Sequence, residues 1–262
     1  MEPLINTGKE TRVAFFKETA GEDVAGEYYK ELPIFAFAGL HGRVGERASA
    51  FFSEGARVLD LASGSGALAL RIRDLGFDVE CCEAVPEGFR LHGDIPITAV
   101  DLDGDFAERL DGPFDAITAV EIIEHLENPW HFLRQCAHLL KPGGRMILTT
   151  PNIDTPRSIL SFVKFGTFKF FTDGFYEKDG HITPVSQWQL EKCIREAGLK
   201  LNSLETFGAP WGAGLRHLGA KALWLLANKN PRKIGTKIVA LIEKPATARK
   251  TGADRTGNSS VD

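Results

Sequence analysis

Short apolar runs of strand length alternate with helical patterns along most of the chain. Seven such runs predict β-strands over residues 56–62, 78–84, 97–103, 114–123, 145–151, 200–207 and 237–244. Helical patterns lie between several of them, at 67–76, 129–144 and 186–199. Because a strand, a helix and the next strand join most readily as a parallel unit, this order predicts a doubly wound α/β domain, with helices on both faces of a seven-stranded sheet.

Three segments fall outside this alternation. Residues 1–45 are predicted to form an N-terminal helical segment that leads into the main domain, 46–244. Residues 152–181 make a long connection rich in Phe, which predicts a lid or an acceptor wall over the carboxyl edge of the sheet, or else a small satellite core. Residues 245–262 lack apolar periodicity and are predicted to be a disordered tail.

The composition of the chain limits which binding partners and which cellular compartment we expect. A net charge of −4 gives no general attraction to phosphate backbones, so a nucleic-acid partner is not favoured. The apolar runs are shorter than the ~20 residues that span a bilayer, and the N-terminus has no signal-peptide pattern. Four cysteines without a CxxC pair indicate reduced thiols and a cytoplasmic location. The amphipathic helix predicted at 215–227 either faces the core or makes a peripheral membrane contact.

The run "VLDLASGSGALALRI" (58–72) predicts a nucleotide site between a strand and a helix. Gly64 and Gly66 let the backbone approach a ligand closely, although a plain structural turn has the same pattern. The string also fits the dinucleotide pattern G-x-G-x-x-A. However, Asp60 before the turn would repel a pyrophosphate and attract a cation such as S-adenosylmethionine. Glu83, at the end of the second strand, is placed to bind ribose hydroxyls in either case.

The stretch "VEIIEHLENPWHFL" (120–133) follows the fourth strand and carries three glutamates and two histidines. Carboxylates with imidazoles suit either general acid–base chemistry or a mixed O/N metal site. A structural turn that binds backbone amides or solvent is the alternative. A further histidine, His181, lies just before the next predicted helix.

Taken in order, these motifs resemble the class I S-adenosylmethionine-dependent methyltransferases over roughly residues 45–205. The resemblance rests on "VLDLASGSG", Glu83, "VDLDG" (100–104), "FDAITAVEIIEHLENP" and "LLKPGGRMILTTPN". It implies a Rossmann-like fold. The cofactor-binding residues that it implies are Asp60, Ala62, Gly64, Gly66, Glu83, Asp101, Leu102 and Glu121. The family's turn usually reads D-x-G-x-G-x-G, so Ala62 here replaces the first glycine.

Within that family, "EIIEHLENP" resembles the ubiquinone-biosynthesis O-methyltransferases and the small-RNA 2′-O-methyltransferases. In both groups two glutamates, the adjacent histidine and a later histidine bind a divalent ion. The matching residues here are Glu121, Glu124, His125 and His181, which implies Mg²⁺ or another divalent ion. His125 and Glu124 are the expected catalytic groups, and His125 as a metal-free general base is the alternative.

The expected function is therefore methyl transfer from S-adenosylmethionine, with oxygen on a small, lipid-linked or glycan-linked acceptor as the first expectation. A nitrogen or carbon acceptor stays open. An RNA 2′-O-methyltransferase is disfavoured by the acidic pI, and a nicotinamide-dependent oxidoreductase is disfavoured by Asp60 and by "KPGG" before the fifth strand. A protein that binds the cofactor without catalysis also remains open.

Overall fold

A seven-stranded sheet forms the centre of the computed structural model, which describes residues 26–208, 218–226, 230, 232 and 234–246. The strands are β1 (Arg57–Leu61), β2 (Asp78–Glu83), β3 (Ile97–Ala99), β4 (Phe114–Val120), β5 (Leu140–Pro151), β6 (Lys200–Phe207) and β7 (Lys237–Glu243). The helices are α1 (Leu40–Phe51), α2 (Ala67–Asp74), α3 (Pro129–Leu139), α4 (Pro156–Phe165), α5 (Asp173–Asp179), α6 (Gln187–Glu196) and α7 (Leu218–Leu226).

The strand order is β3-β2-β1-β4-β5-β7-β6, and β1 to β5 pair in parallel. The prediction of an α/β doubly wound sheet is confirmed, with one difference: β7 runs antiparallel to both β5 and β6. β6 ends at the carboxyl edge and β7 begins there, so the connection between them does not cross the sheet. The first residue of β7, Lys237, consequently lies at the edge where the parallel strands end.

Helices cover both faces of the sheet. On one face α3 and α6 pack on a core that includes Leu59 and Ile117, and on the other α1 and α2 pack on a core that includes Val58. Alternate residues of β1 thus enter different cores, and residues 58–61 are nearly inaccessible to solvent. Burial on both faces explains why the central strands are continuous apolar runs.

Several element boundaries differ from the predicted ones because of local backbone chemistry. The helix predicted over 129–144 ends at Leu139, and β5 begins at Leu140 rather than at residue 145. Pro142 cannot continue a helix and Gly143 has a φ of 79°, so this segment forms an irregularity in β5 instead. β4 stops at Val120 because Glu121 takes a positive φ of 54°.

The flanking segments are described only in part. Within the predicted helical segment 1–45, residues 1–25 lie outside the described part, and Tyr28–Tyr29 pairs with Leu32–Pro33 as a short hairpin before α1 begins at Leu40. The predicted tail lies outside the described residues from 247 onward. The predicted lid contains α4 and α5. No helix in the described part of the chain is long and apolar enough to cross a membrane.

Candidate functional site

The predicted site residues come from neighbouring strand ends at one edge of the sheet. Asp60 is near the end of β1, Glu83 ends β2, and Glu121 directly follows β4. β2, β1 and β4 are adjacent and parallel, so these three carboxylates meet at the carboxyl edge. This edge is the usual ligand position in an open α/β sheet.

Asp60 is a buried carboxylate that is only half satisfied. Its side chain is 2% exposed, and its Oδ1 accepts a hydrogen bond of 2.6 Å from Thr118 Oγ1. Its Oδ2 is buried and has no hydrogen-bond partner among the described residues. Burial raises the pKa of Asp60 to about 7 despite the Thr118 hydrogen bond, and the charge of Glu83 raises it further. A bound cation would supply the countercharge that this carboxylate lacks.

The turn after β1 has the left-handed conformation that a close backbone approach requires. Gly64 and Gly66 have φ values of 52° and 90°, and Ala62 also has a positive φ, 57°. Ala62 therefore keeps the turn geometry although it replaces a glycine. A Cβ atom on Gly66 would lie 2.8 Å from the Phe89 ring and 2.9 Å from the Leu91 side chain, so this position has no room for a side chain.

Glu83 ties the turn to β2. Its two carboxylate oxygens accept hydrogen bonds of 2.9 Å from the backbone N–H groups of Gly64 and Ala84. Burial raises the pKa of Glu83, while these amides lower it. An ionised carboxylate has further lone pairs, so Glu83 retains the capacity to accept from ligand hydroxyls.

The residues expected beside an adenine occupy two different environments. Asp101 is exposed, and its carboxylate accepts from the Asp103 N–H at 3.0 Å. The Leu102 side chain is only 4% exposed and belongs to the main core. Only the backbone of Leu102 is therefore left to contact a ligand, which narrows the role that the resemblance implied.

The motif after β4 forms a short 3₁₀ turn, Ile123–His125, that holds Glu124 inside the protein. Glu124 is fully buried; its Oε2 accepts from Thr150 Oγ1 at 3.0 Å, and its Oε1 has no hydrogen-bond partner in the described part of the chain. Burial, reinforced by the charge of Glu121, raises the pKa of Glu124 well above its usual range. The Glu124 carbonyl accepts from the N–H groups of Ile182 and Thr183, so this turn fixes the segment that follows the lid.

His125 and His181 are brought together although 56 positions separate them in the sequence. Their ring centres are 4.9 Å apart, with the rings nearly perpendicular. His181 Nδ1 lies 2.7 Å from the carbonyl oxygen of Phe170. Since a carbonyl only accepts, Nδ1 must carry a proton, and Nε2 of the neutral ring has the free lone pair. Burial lowers the pKa of His181, which favours this neutral form.

Three of the four residues that the resemblance implied as metal ligands converge. Ligand atoms of Glu124, His125 and His181 all lie within 4.8 Å of one another. Glu121 does not join them: its carboxylate accepts from Thr149 Oγ1 at 3.2 Å and forms a buried ion pair with Lys237 Nζ. An ammonium group at this carboxylate would repel a divalent ion, so the full four-residue set does not fit one.

Lys237, Phe35 and Phe37 were not singled out from the sequence, although Phe170 beside Lys237 lies in the Phe-rich segment that was predicted as a lid. The Lys237 ammonium lies 5.2 Å from the ring centre of Phe170 and 5.9 Å from that of Phe37. Phe35, two residues before Phe37, is 3.4 Å from the position of a Cβ on Gly64. Residues 33–39 therefore pass from the cofactor turn to Lys237. The one signal in the sequence was the Phe-rich run "PIFAFAG", which reads equally well as core.

Comparisons with known proteins place the chain among related sequences. The chain matches the family described as "Methyltransferase domain" over residues 35–204. It is 33% identical over 169 residues to a ubiquinone biosynthesis O-methyltransferase of Xylella fastidiosa strain M23, a match that covers 60% of this chain and 66% of the relative. It is 40% identical over 170 residues to the enzyme of that name from Xanthomonas oryzae pv. oryzae, which covers 60% and 68%. The chain thus spans about two thirds of the length of these relatives.

A solved structure extends the likeness beyond the matched segment, at the level of the fold alone. The 1,6-didemethyltoxoflavin-N1-methyltransferase of Burkholderia thailandensis, solved with its substrate and S-adenosylhomocysteine, superposes with a TM-score of 0.54 at 15% identity. The alignment covers 94% of this chain and 93% of that one. With well over half of its residues matched, the chain belongs to the methyltransferase-domain family, the class I S-adenosylmethionine-dependent methyltransferases.

Proposed function

We propose that this protein transfers the methyl group of S-adenosylmethionine to a hydroxyl oxygen of a small or lipid-linked acceptor. One observation carries the proposal: the acid-flanked turn after β1 and the Glu124–His125–His181 cluster after β4 follow adjacent strands of the sheet. A ligand bound at the turn would therefore lie at the same sheet edge as the two imidazoles. The family and the names of the relatives support the same chemistry.

The residues of the chain divide into those that bind the cofactor and those that act on the acceptor. When bound, S-adenosylmethionine supplies an electrophilic methyl group on a cationic sulphur. Asp60 offers its unpartnered carboxylate oxygen to that positive charge, and Gly64 and Gly66 allow the close approach of the backbone. Glu83 would accept hydrogen bonds from the ribose hydroxyls, and the backbone of Leu102 would lie beside the adenine.

At the acceptor side, a neutral imidazole would take the hydroxyl proton as the oxygen bonds to the methyl carbon and the carbon–sulphur bond breaks, which leaves neutral S-adenosylhomocysteine and an imidazolium. His181 is held for this role because Phe170 fixes its tautomer with Nε2 free to accept. Phe171 and Phe175, whose ring centres are 5.5 Å and 5.9 Å from that of His181, help to keep water from the base. No step in this scheme uses a divalent ion, because Lys237 already neutralises Glu121.

A lipid-linked acceptor is supported by exposed apolar side chains on α4 of the lid and on the neighbouring helix α7. Six apolar side chains of α4 and α7 are more than one third exposed, and we refer to them together as the apolar patch: Leu160, Phe162, Val163, Phe165, Leu225 and Leu226. α4 and α7 are in contact, and Arg157 and Lys164 lie exposed on α4 among these side chains. An apolar patch with basic residues favours a peripheral contact with a membrane, from which a lipid-linked acceptor would be supplied.

All four cysteines are free and buried, which supports the cytoplasm as the location.

Calorimetric titration tests the cofactor part of the proposal. S-adenosylmethionine and S-adenosylhomocysteine should each bind at one saturable site, and NAD should not bind. Binding of NAD alone, or of no nucleotide, would refute the proposal.

Mutation of His181 tests the base. With an accepted hydroxylated substrate in hand, His181→Ala should lower kcat by about 10²–10⁴-fold, the usual contribution of a general base, with little change in cofactor affinity. The matched control is His138→Ala, an exposed histidine at the end of α3, which should retain full activity. Equal activity of the two variants would assign the proton transfer to another group.

A further inference from the structure

The ion pair between Lys237 and Glu121 has no part in the steps of the proposed reaction. Lys237 is 5% exposed although it carries an ammonium group, and the side chains of the pair are 7% and 10% exposed. The two residues are 116 positions apart in the sequence. A lysine is rarely buried to this degree unless its charge is compensated, and Glu121 provides that compensation.

The fold holds both partners rigidly at the place where they meet. Lys237 is the first residue of β7 and is paired in register with Pro151 on one side and with Phe207 on the other. Glu121 has a left-handed backbone, and its N–H donates to the carbonyl and the hydroxyl oxygen of Thr149. A residue other than glycine adopts this conformation only when its surroundings impose it, so the carboxylate is directed at Lys237 by construction.

The ammonium also borders the cluster of Glu124, His125 and His181. Phe170 connects the two, because its ring contacts Lys237 Nζ and its carbonyl accepts from His181. Phe170 itself has a φ of 73°, a further strained residue beside this ammonium. A positive charge therefore lies on Glu121, one of the four implied ligands, and close enough to the other three to act on Glu124 and His181.

We propose that Lys237 takes the place of a divalent ion as the fixed positive charge of the acceptor site. Lys237 forms an ion pair with the Glu121 carboxylate, so one of the four implied metal ligands and its negative charge are no longer available to a metal ion. The remaining ligands, one carboxylate and two imidazoles, face a neighbouring cation that repels Mg²⁺ or Mn²⁺. Lys237 is thus a positioning residue that makes the site weak for metal; the inference rests on the proposed function only in calling this the acceptor site.

Binding of Mn²⁺ to the full-length protein, followed by electron paramagnetic resonance of the free ion without acceptor, tests this proposal. Lys237→Met releases Glu121 as a fourth ligand and should tighten Mn²⁺ binding at least tenfold relative to the wild type. Lys237→Arg, which keeps the charge, should bind Mn²⁺ as weakly as the wild type. The double variant Glu121→Gln with Lys237→Met should lose the gain, because the fourth ligand is again missing.

Lys237→Gln provides a second neutral variant in case the methionine variant does not fold, since its amide can still donate to Glu121. It should also bind Mn²⁺ more tightly than the wild type. Mn²⁺ affinity that is equal in the wild type and in the folded neutral variant, or a gain that persists without Glu121, would overturn the proposal. Titration of the same samples with S-adenosylmethionine separates this outcome from a failure of the proposed function.

Discussion

The ionised carboxylate of Asp60 destabilises the ligand-free protein but would stabilise its complex with a cationic ligand. Its carboxylate is buried with one unpartnered oxygen, and its pKa is raised to about 7 by that burial. The unfolded chain has a lower pKa for this group, near 3.9. The folded protein therefore binds an extra proton between about pH 4 and pH 7, and its free energy of unfolding falls as the pH rises through that range.

Two measurable consequences follow for Asp60. Ionising it in the ligand-free protein at pH 8 costs on the order of 4 kcal/mol of stability, so Asp60→Asn should stabilise the ligand-free protein at pH 8 and much less at pH 5. Urea unfolding at the two pH values measures this effect.

Because a cationic ligand favours the ionised form, S-adenosylmethionine should bind more tightly at pH 8 than at pH 6 and release protons on binding. Calorimetry in buffers of different ionisation enthalpy measures the protons released. Proton release that persists unchanged in Asp60→Asn would assign it to another group, such as Glu83, whose pKa is also raised.

At the scale of elements, the turn between β1 and α2 carries local strain at Ala62. A residue with a side chain costs roughly 1–2 kcal/mol in the left-handed region, and its φ is 57°. Glycine removes this cost but loses about 0.4–1 kcal/mol through the greater entropy of the unfolded chain.

Ala62→Gly should therefore raise the free energy of unfolding by up to ~1.5 kcal/mol, which is about 3–6 °C in Tm for a domain of this size. The matched control is Ala84→Gly, at a position without a positive φ, which should lower the stability instead. Scanning calorimetry of the two variants and the wild type checks the signs. A loss of stability in both variants would mean that Ala62 is not strained.

The elements that the sequence predicted well are those defined by local patterns. The strands from 56–62 to 145–151 follow from apolar runs and turn residues, and so does the convergence of Glu124 and His125 at the edge where β4 ends. The ion pair of Lys237 with Glu121 could not be predicted, because it depends on the direction of β7. That direction is decided by pairing with β5 and β6 rather than by any short motif. The hairpin before α1 was missed for a similar reason, since it is held by contacts such as Ser65 Oγ with the Pro33 carbonyl.

For the whole molecule, the net charge and the apolar patch on α4 and α7 make opposite contributions to membrane binding. The charge of −4 gives no general attraction to an anionic bilayer, so binding must come from the patch itself. Val163 and Phe165 are its side chains on α4 with the largest exposure, 77% and 66%.

Flotation with phospholipid vesicles that contain phosphatidylglycerol should recover the wild-type protein in the lipid fraction. The double variant Val163→Asp with Phe165→Asp should reduce that recovery at least fivefold, because two charges at the interface oppose insertion. Trp188→Asp is the matched control, since Trp188 is 67% exposed but lies on α6, and it should float like the wild type. Equal recovery of all three proteins would show that the patch does not contact the bilayer.

The position of β7 also determines the order in which the two halves of the site can be assembled during folding. β7 lies between β5 and β6 although it follows both in the sequence, and β6 pairs with no other described strand. β6 therefore has no place in the sheet until β7 has inserted, and contacts of such long sequence separation form late. The turn after β1 is held by residues that follow it closely in the sequence, such as Glu83 and Phe89. The ammonium of Lys237, in contrast, reaches the site only when β7 pairs with the sheet. A folding chain would thus form the turn after β1 before it forms the ion pair of Lys237 with Glu121.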